Sequence, residues 1–136
     1  MVRNEHEIVI AASPDRIFGL ISDLEEWRRW RPAEGELERT TPGPVGVGTV
    51  WKVSARVMGE PMTATVAVTD YQPGVRFGLR TSGSIEADEW FTLVPVAGGT
   101  RLSMVLELAD PQLAEPARQQ WDSDLRRLQE LLETER

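Results

Sequence analysis

The chain has no cysteine, and only one histidine and one tyrosine among its 136 residues. Without cysteine there is no disulfide, no thiolate nucleophile and no thiolate metal ligand. A single imidazole, His6, excludes a metal site built on several histidines. Also lacking is any apolar run near the roughly 20 residues that a membrane helix needs. The opening MVRNEHEIVI places charges where the apolar core of a signal peptide would stand, so a cytoplasmic protein without a membrane span is expected. Positive charge is in short supply too. Fifteen basic against twenty-two acidic side chains leave a net charge of −7, which repels a phosphate backbone and sets nucleic acid aside as a partner. Gly43, Gly46 and Gly48 do not fit G-x-G-x-x-G, and neither a Walker sequence nor a G-x-S-x-G elbow occurs. Phosphate-loop and hydrolase chemistry are therefore not indicated, and no cofactor is implied.

What is present reads as one domain over residues 1–136, long enough to bury a single core. HEIVIAA (His6 to Ala12) alternates His6, Ile8 and Ile10 against Glu7, Val9 and Ala11, the period of a strand. Ser13 then supplies a helix cap and Pro14 a first helical residue, so a short helix runs to about Ile21. Asp23 caps again, and a second short helix is expected from Leu24 to about Trp30, stopped by Pro32. From Glu36 to Leu108 the period is two: six successive strands separated by tight turns, among them GEP at Gly59, QPG at Gln72 and AGG at Ala97. From Pro116 to about Thr134 the spacing becomes helical, with Ala117, Trp121, Leu125, Leu128 and Leu132 on one stripe. The expected fold is thus α+β: a seven-stranded antiparallel sheet wrapped around a long C-terminal helix, with two short helices after strand 1.

The stripe of the last helix has no second long helix to meet, so the sheet must receive it. Several inward positions of that sheet are small (Ala55, Val57, Ala64, Val66, Val68, Ala87), and a curved sheet lined with small side chains leaves a cavity under its helix. The segment ISDLEEWRRWRP is otherwise almost all charge, so Trp27 and Trp30 are expected to plug the mouth of that cavity or the sheet edge. Arg28, Arg29 and Arg31 read either as a solvated helix end or as partners for an acidic group.

The order of elements resembles the START-like or Bet v 1-like superfamily (SRPBCC) with its helix-grip fold. The likeness is carried by IAASPDRIFGLISDLEEWRRWRP (Ile10 to Pro32), by the Gly-rich corner GPVGVGTVW (Gly43 to Trp51) and by the hairpin LVPVAGGTRLSM (Leu93 to Met104). The nearest branch is the bacterial polyketide cyclase/dehydrase and lipid-transport group. The resemblance implies a pocket for a small hydrophobic molecule under the C-terminal helix. It does not fix one chemistry, since relatives include carriers, aromatic cyclases and quinone-binding proteins.

Glu89 is the most informative side chain. With Phe91 and Leu93 inward, period two brings Ala87 and Glu89 inward as well and sets a carboxylate in an apolar cavity; a bulge near Asp88 would instead turn Trp90 in and Glu89 out. An inward Glu89 is a candidate general acid or base, or an anchor for a ligand hydroxyl or keto group. His6, the only imidazole, is the second catalytic candidate. Tyr71 reads as a strand-end residue, Arg56 and Arg80 as sheet-surface residues, and Asp70 and Asp88 as solvated. The expected ligand-binding side chains are Trp27 from the second helix, Trp51, Val53 and Met58 from the third strand, and Met62 and Val66 from the fourth. To these are added Phe77, Glu89, Phe91 and Met104 from the later strands, and Trp121 and Leu125 from the last helix. Three functions follow: binding of a polyketide-like, lipid or quinone ligand; a cyclase or dehydratase working through Glu89 or His6; or an interaction module, either docking through Trp27, Trp30 and Arg28 to Arg31 or simply forming a homodimer through a sheet edge.

Overall fold

The computed structural model describes residues 1–31, 35–57 and 59–135. Its elements are β1 (Val2–Ile10), α1 (Pro14–Ile21), β2 (Gly35–Arg39), β3 (Val50–Val57), β4 (Glu60–Gln72), β5 (Arg76–Gly83), β6 (Ala87–Val96), β7 (Gly99–Leu108) and α2 (Ala114–Thr134), with single 3-10 turns at Trp27–Arg29 and Pro111–Leu113. The seven strands form one antiparallel sheet in the order β1-β7-β6-β5-β4-β3-β2. β2 to β7 are therefore a meander, and β1 closes onto β7 after the chain has gone around. The α+β helix-grip arrangement is the one the element order predicts.

β1 and the second short helix differ most from expectation. β1 starts at Val2 and ends at Ile10, because it pairs with β7 along its whole length, from Val2 opposite Leu108 to Ile10 opposite Thr100. Its inward row is Asn4, His6, Ile8 and Ile10; the polar Asn4 hides the pattern from a reading based on apolar alternation. Ala11 and Ala12 form the bend before α1, whose Ser13 hydroxyl accepts the Arg16 backbone N–H at 3.3 Å.

The second short helix is only a 3-10 turn. Its backbone bonds run i to i+3, as in Trp30 N–H to the Trp27 carbonyl at 3.1 Å. Winding this tight eclipses positions three apart, so Trp27 and Trp30 lie side by side with ring centroids 5.5 Å apart. Each indole N–H then donates to the end of α1, Trp27 to the Ile21 carbonyl at 2.8 Å and Trp30 to the Leu20 carbonyl at 3.0 Å. Those bonds satisfy carbonyls that a helix C-terminus leaves open. Pro32, expected to stop this segment, lies outside the described residues.

A shift in register at Val68/Asp70 marks a β-bulge in β4, which bends the strand and adds twist where the sheet must curve around α2. Gly35 opens β2 at φ +144°, and a Cβ there would fall 1.8 Å from the Ser54 carbonyl oxygen, so only glycine lets β2 approach β3 at this point. Helix α2 buries Trp121, Asp124, Leu125, Leu128 and Leu132 against the concave face. Its 21 residues reach about 32 Å at 1.5 Å each, enough to cross the sheet. Polar bonds fix its first half to β1: Asn4 Nδ2 donates to the Ala114 carbonyl at 2.9 Å, Arg118 donates to Asn4 Oδ1 at 3.0 Å, and His6 Nδ1 meets Asp122 Oδ1 at 2.8 Å.

Candidate functional site

Registers across the sheet lay its inward residues out in rows. One row runs His6, Met104, Phe91, Phe77 and Tyr71, and the next runs Asn4, Leu106, Glu89, Leu79 and Val68. The first row is filled. Phe18 of α1 stands edge-on to Tyr71 and Phe77, and Phe91 is edge-on to both Trp27 and Trp121. Trp30 packs at 6.0 Å from Trp121. This aromatic cluster closes the α1 end of the space between sheet and helix. Beyond it the side chains shorten, to Ala55, Ala64, Val66 and Ala87, and a cavity of about 740 Å³ opens between the sheet and the first half of α2. Exposed residues join its wall at Arg28, Glu36, Arg56, Gly59, Pro116 and Gln120, which places the mouth between β2, the β3–β4 hairpin and α2.

Glu89 faces this cavity. Its neighbours across the strands, Leu79 and Leu106, are both buried, while Trp90 and Asp88 take the other face. The inward alternative for Glu89 is thus the one adopted, without a bulge at Asp88. Glu89 Oε2 is buried and has no hydrogen-bond partner among the described residues. Burial raises the pKa of the carboxyl, the positive charge of Arg31 opposes that rise, and Asp88 adds to it.

Arg31 itself is held at the cavity wall. Its guanidinium lies 3.9 Å from the centre of the Trp121 ring and 5.5 Å from that of Trp27, and its Nε donates to Asp124 Oδ2 at 2.8 Å. Asp124 is wholly buried on α2 and also accepts from Gln120 at 2.9 Å and Arg127 at 2.7 Å. Asp124 thus has three charged or polar donors within hydrogen-bond reach, which offset the cost of burying its carboxylate. The wall therefore carries two carboxyl groups in opposite circumstances, Asp124 saturated with donors and Glu89 with a free oxygen.

Of the expected ligand-binding side chains, the structure brings Trp27, Val53, Met62, Val66, Glu89 and Trp121 to the cavity wall. Trp51, Phe77, Phe91, Met104 and Leu125 are buried in the packed layer off that wall, because large side chains on neighbouring strands and on α2 fill the space between them. Met58 and the side chain of Val57 lie outside the described residues. His6 is buried between β1 and α2, paired with Asp122 and away from the wall. Leu24, Arg31, Leu79, Thr81, Ile85, Leu106, Leu108 and Asp124 line the cavity without having been anticipated. Asp124 had a visible signal, a carboxylate on the apolar stripe of an amphipathic helix; for Arg31 the sequence suggested an acidic partner but not its place on the wall, which depends on a contact 93 residues away in sequence. On the outer face Arg80 pairs with Asp88 at 3.0 Å and Arg76 with Asp70, so these aspartates are half-buried ion-pair partners rather than fully solvated groups. Arg29 reaches Glu135 at 2.7 Å. Two of the three clustered arginines thus meet acidic groups of α2 and its end. Among the described residues no group of three or more His, Asp or Glu side chains is placed to hold a metal ion, and no helix is long and apolar enough to cross a membrane.

A twisted antiparallel sheet gripping one long helix over an apolar hollow defines the helix-grip class of α+β proteins. The family model described as polyketide cyclase / dehydrase and lipid transport matches residues 1–133, and the chain belongs to that family. Among solved structures it is similar to protein TTHA0849 from Thermus thermophilus (22% identity, 98% of each chain, TM-score 0.75). It is also similar to protein MLL2253 from Mesorhizobium loti (17%, 98% of each chain, TM-score 0.78) and to Ara h 8.0201 (16%, 98% of each chain, TM-score 0.76). At these identities the likeness is one of fold. No curated protein matches the chain.

Proposed function

We propose that the protein binds a small hydrophobic molecule, polyketide-like, lipid or quinone in character, in the cavity between the sheet and α2. One observation carries this reading: a hollow of about 740 Å³ lies within one family-wide fold, with small aliphatic residues on its floor and two indoles, Trp27 and Trp121, on its walls. Ligand pockets typically have volumes of about 300–1,000 Å³ with few polar anchors. Calorimetric titration with an aromatic polyketide and with a naphthoquinone tests it, using a variant in which Ala64→Phe and Ala87→Phe block the hollow. Binding to the native chain and none to the blocked one is expected. Equal heats from both would place any binding elsewhere and remove the reading.

A cyclase or dehydratase is the second reading, favoured by the carboxyl of Glu89 standing in the apolar hollow with a raised pKa. His6 gives it no support from its position. Orientation of a reactive chain in such a hollow would supply part of the rate without further side chains. On any substrate that is turned over, Glu89→Gln separates the two: unchanged turnover means a container only. The third reading, docking through exposed tryptophans, loses its basis, because Trp27 and Trp30 are both buried and their N–H groups are spent on α1.

A further inference from the structure

Resting on the container reading, we propose that Glu89 makes the hollow selective for uncharged molecules bearing a hydrogen-bond acceptor, such as a ketone or quinone carbonyl, over carboxylates and amines of the same shape. Glu89 sits on β6, two strands in from one edge of the sheet, and its flanking inward residues Leu79 and Leu106 offer no polar atom. Its Oε2 is buried and unpartnered among the described residues, while Glu89 as a whole is half-buried, with part of its surface open to the hollow. A buried carboxyl in that state either finds a cation, collects several donors or keeps its proton.

Neither of the first two routes is taken among the described residues. The charged groups that face the cavity are Arg28 and Arg31 from the turn after α1, Glu36 from β2, Arg56 from β3 and Asp124 from α2; β4, β5 and β7 contribute none among the described residues. Arg31, the cation that acts on Glu89, is engaged by Asp124 through its Nε and stacked over Trp121. Arg28 and Arg56 are exposed at the mouth. The third route remains, and it agrees with the raised pKa that burial produces. A protonated carboxyl pointing into an apolar hollow is a hydrogen-bond donor awaiting an acceptor.

Selectivity follows from the same facts. A ligand carbonyl accepts that proton and removes an unsatisfied polar group, which an otherwise identical hydrocarbon cannot do. A ligand carboxylate would compete with Glu89 for one proton or repel it as a like charge. An amine would require Glu89 to ionise, burying two charges with the Arg31 guanidinium opposing the second.

The test is a matched series substituted at one ring position: acetylnaphthalene, ethylnaphthalene, naphthoate and naphthylmethylamine, titrated by calorimetry at neutral pH into the native chain, Glu89→Gln and Glu89→Leu. In the native chain acetylnaphthalene should bind about five- to tenfold more tightly than ethylnaphthalene, the worth of one net hydrogen bond. Glu89→Gln, whose amide N–H can also donate, should keep most of that preference; Glu89→Leu should lose it while still binding ethylnaphthalene, which also reports that the variant is folded. Naphthoate and the amine should bind the native chain at least about tenfold more weakly than the ketone. Equal affinities for ketone and hydrocarbon overturn the selectivity and leave the container standing. Tightest binding by the amine, lost in Glu89→Gln, means an ionised Glu89 and overturns it as well, as does tightest binding by naphthoate. If none of the four binds the native chain, the container reading falls with it.

Discussion

Ala64 and Ala87 are both buried and both on the wall of the hollow, and enlarging them distinguishes a real void from a filled core. In a close-packed interior, Ala→Leu forces three extra carbons into occupied space and costs about 1–3 kcal/mol. Entering a hollow, the same three carbons leave water at about 0.8 kcal/mol each, so the gross gain is about 2.4 kcal/mol. Fixing the leucine rotamer returns about 0.5–1 kcal/mol. Because the mouth admits water, part of the burial is incomplete, and the net expectation is about 1 kcal/mol of stabilisation for each of Ala64→Leu and Ala87→Leu. Ala12 is the control: it is buried in the core but absent from the wall, so Ala12→Leu should lose about 1–3 kcal/mol. Equilibrium unfolding in urea reads all three on one scale. Losses at Ala64 and Ala87 matching the loss at Ala12 would refute the reasoning, because the space would then already be filled.

Other expectations concern the polar groups. Glu89 has a folded-state pKa above its ordinary value of 4.5, so between that value and the raised one the folded chain holds a proton that the unfolded chain has released. Stability should therefore fall as pH rises through this window and level off above the folded pKa; Glu89→Gln should flatten that fall in urea unfolding repeated at several pH values, and an unchanged slope would contradict the assignment. Asp124→Ala strands Arg31 and Arg127, but both are partly exposed and can be hydrated again, so the loss in thermal or urea unfolding should be about 1–3 kcal/mol rather than that of a fully buried pair. Trp30→Phe removes the donor to the buried Leu20 carbonyl and should cost about 1–3 kcal/mol by the same measurement.

The sheet and its helix were legible because their signals are local and periodic. Trp51, Val53 and Ala55 alternate along β3, and Trp121, Leu125, Leu128 and Leu132 repeat at helical spacing along α2. The segment around Trp27 was harder. Composition and a capping aspartate suggested a helix, whereas bonds from two indoles to carbonyls of α1 hold a single 3-10 turn. Within the site, the small residues were the better guide. Ala55, Ala64, Val66 and Ala87 marked where the hollow lies, although Val68, read with them, is buried off the wall; Phe77, Phe91 and Met104, chosen for apolar bulk, fill their own space. Glu89 was identifiable from alternation once its register was known. Arg31 was not, because it reaches the wall only through a fold that brings the turn after α1 against α2.

The central claim is that an apolar molecule enters between the sheet and α2, and a crystal soaked with ethylnaphthalene addresses it most directly. In that crystal a ring should lie over Ala64 and Ala87, beside Trp121 and below Asp124, with the aromatic cluster around Phe77 unmoved. A crystal in which α2 has settled onto those alanines, leaving no space and no bound ring, would contradict it.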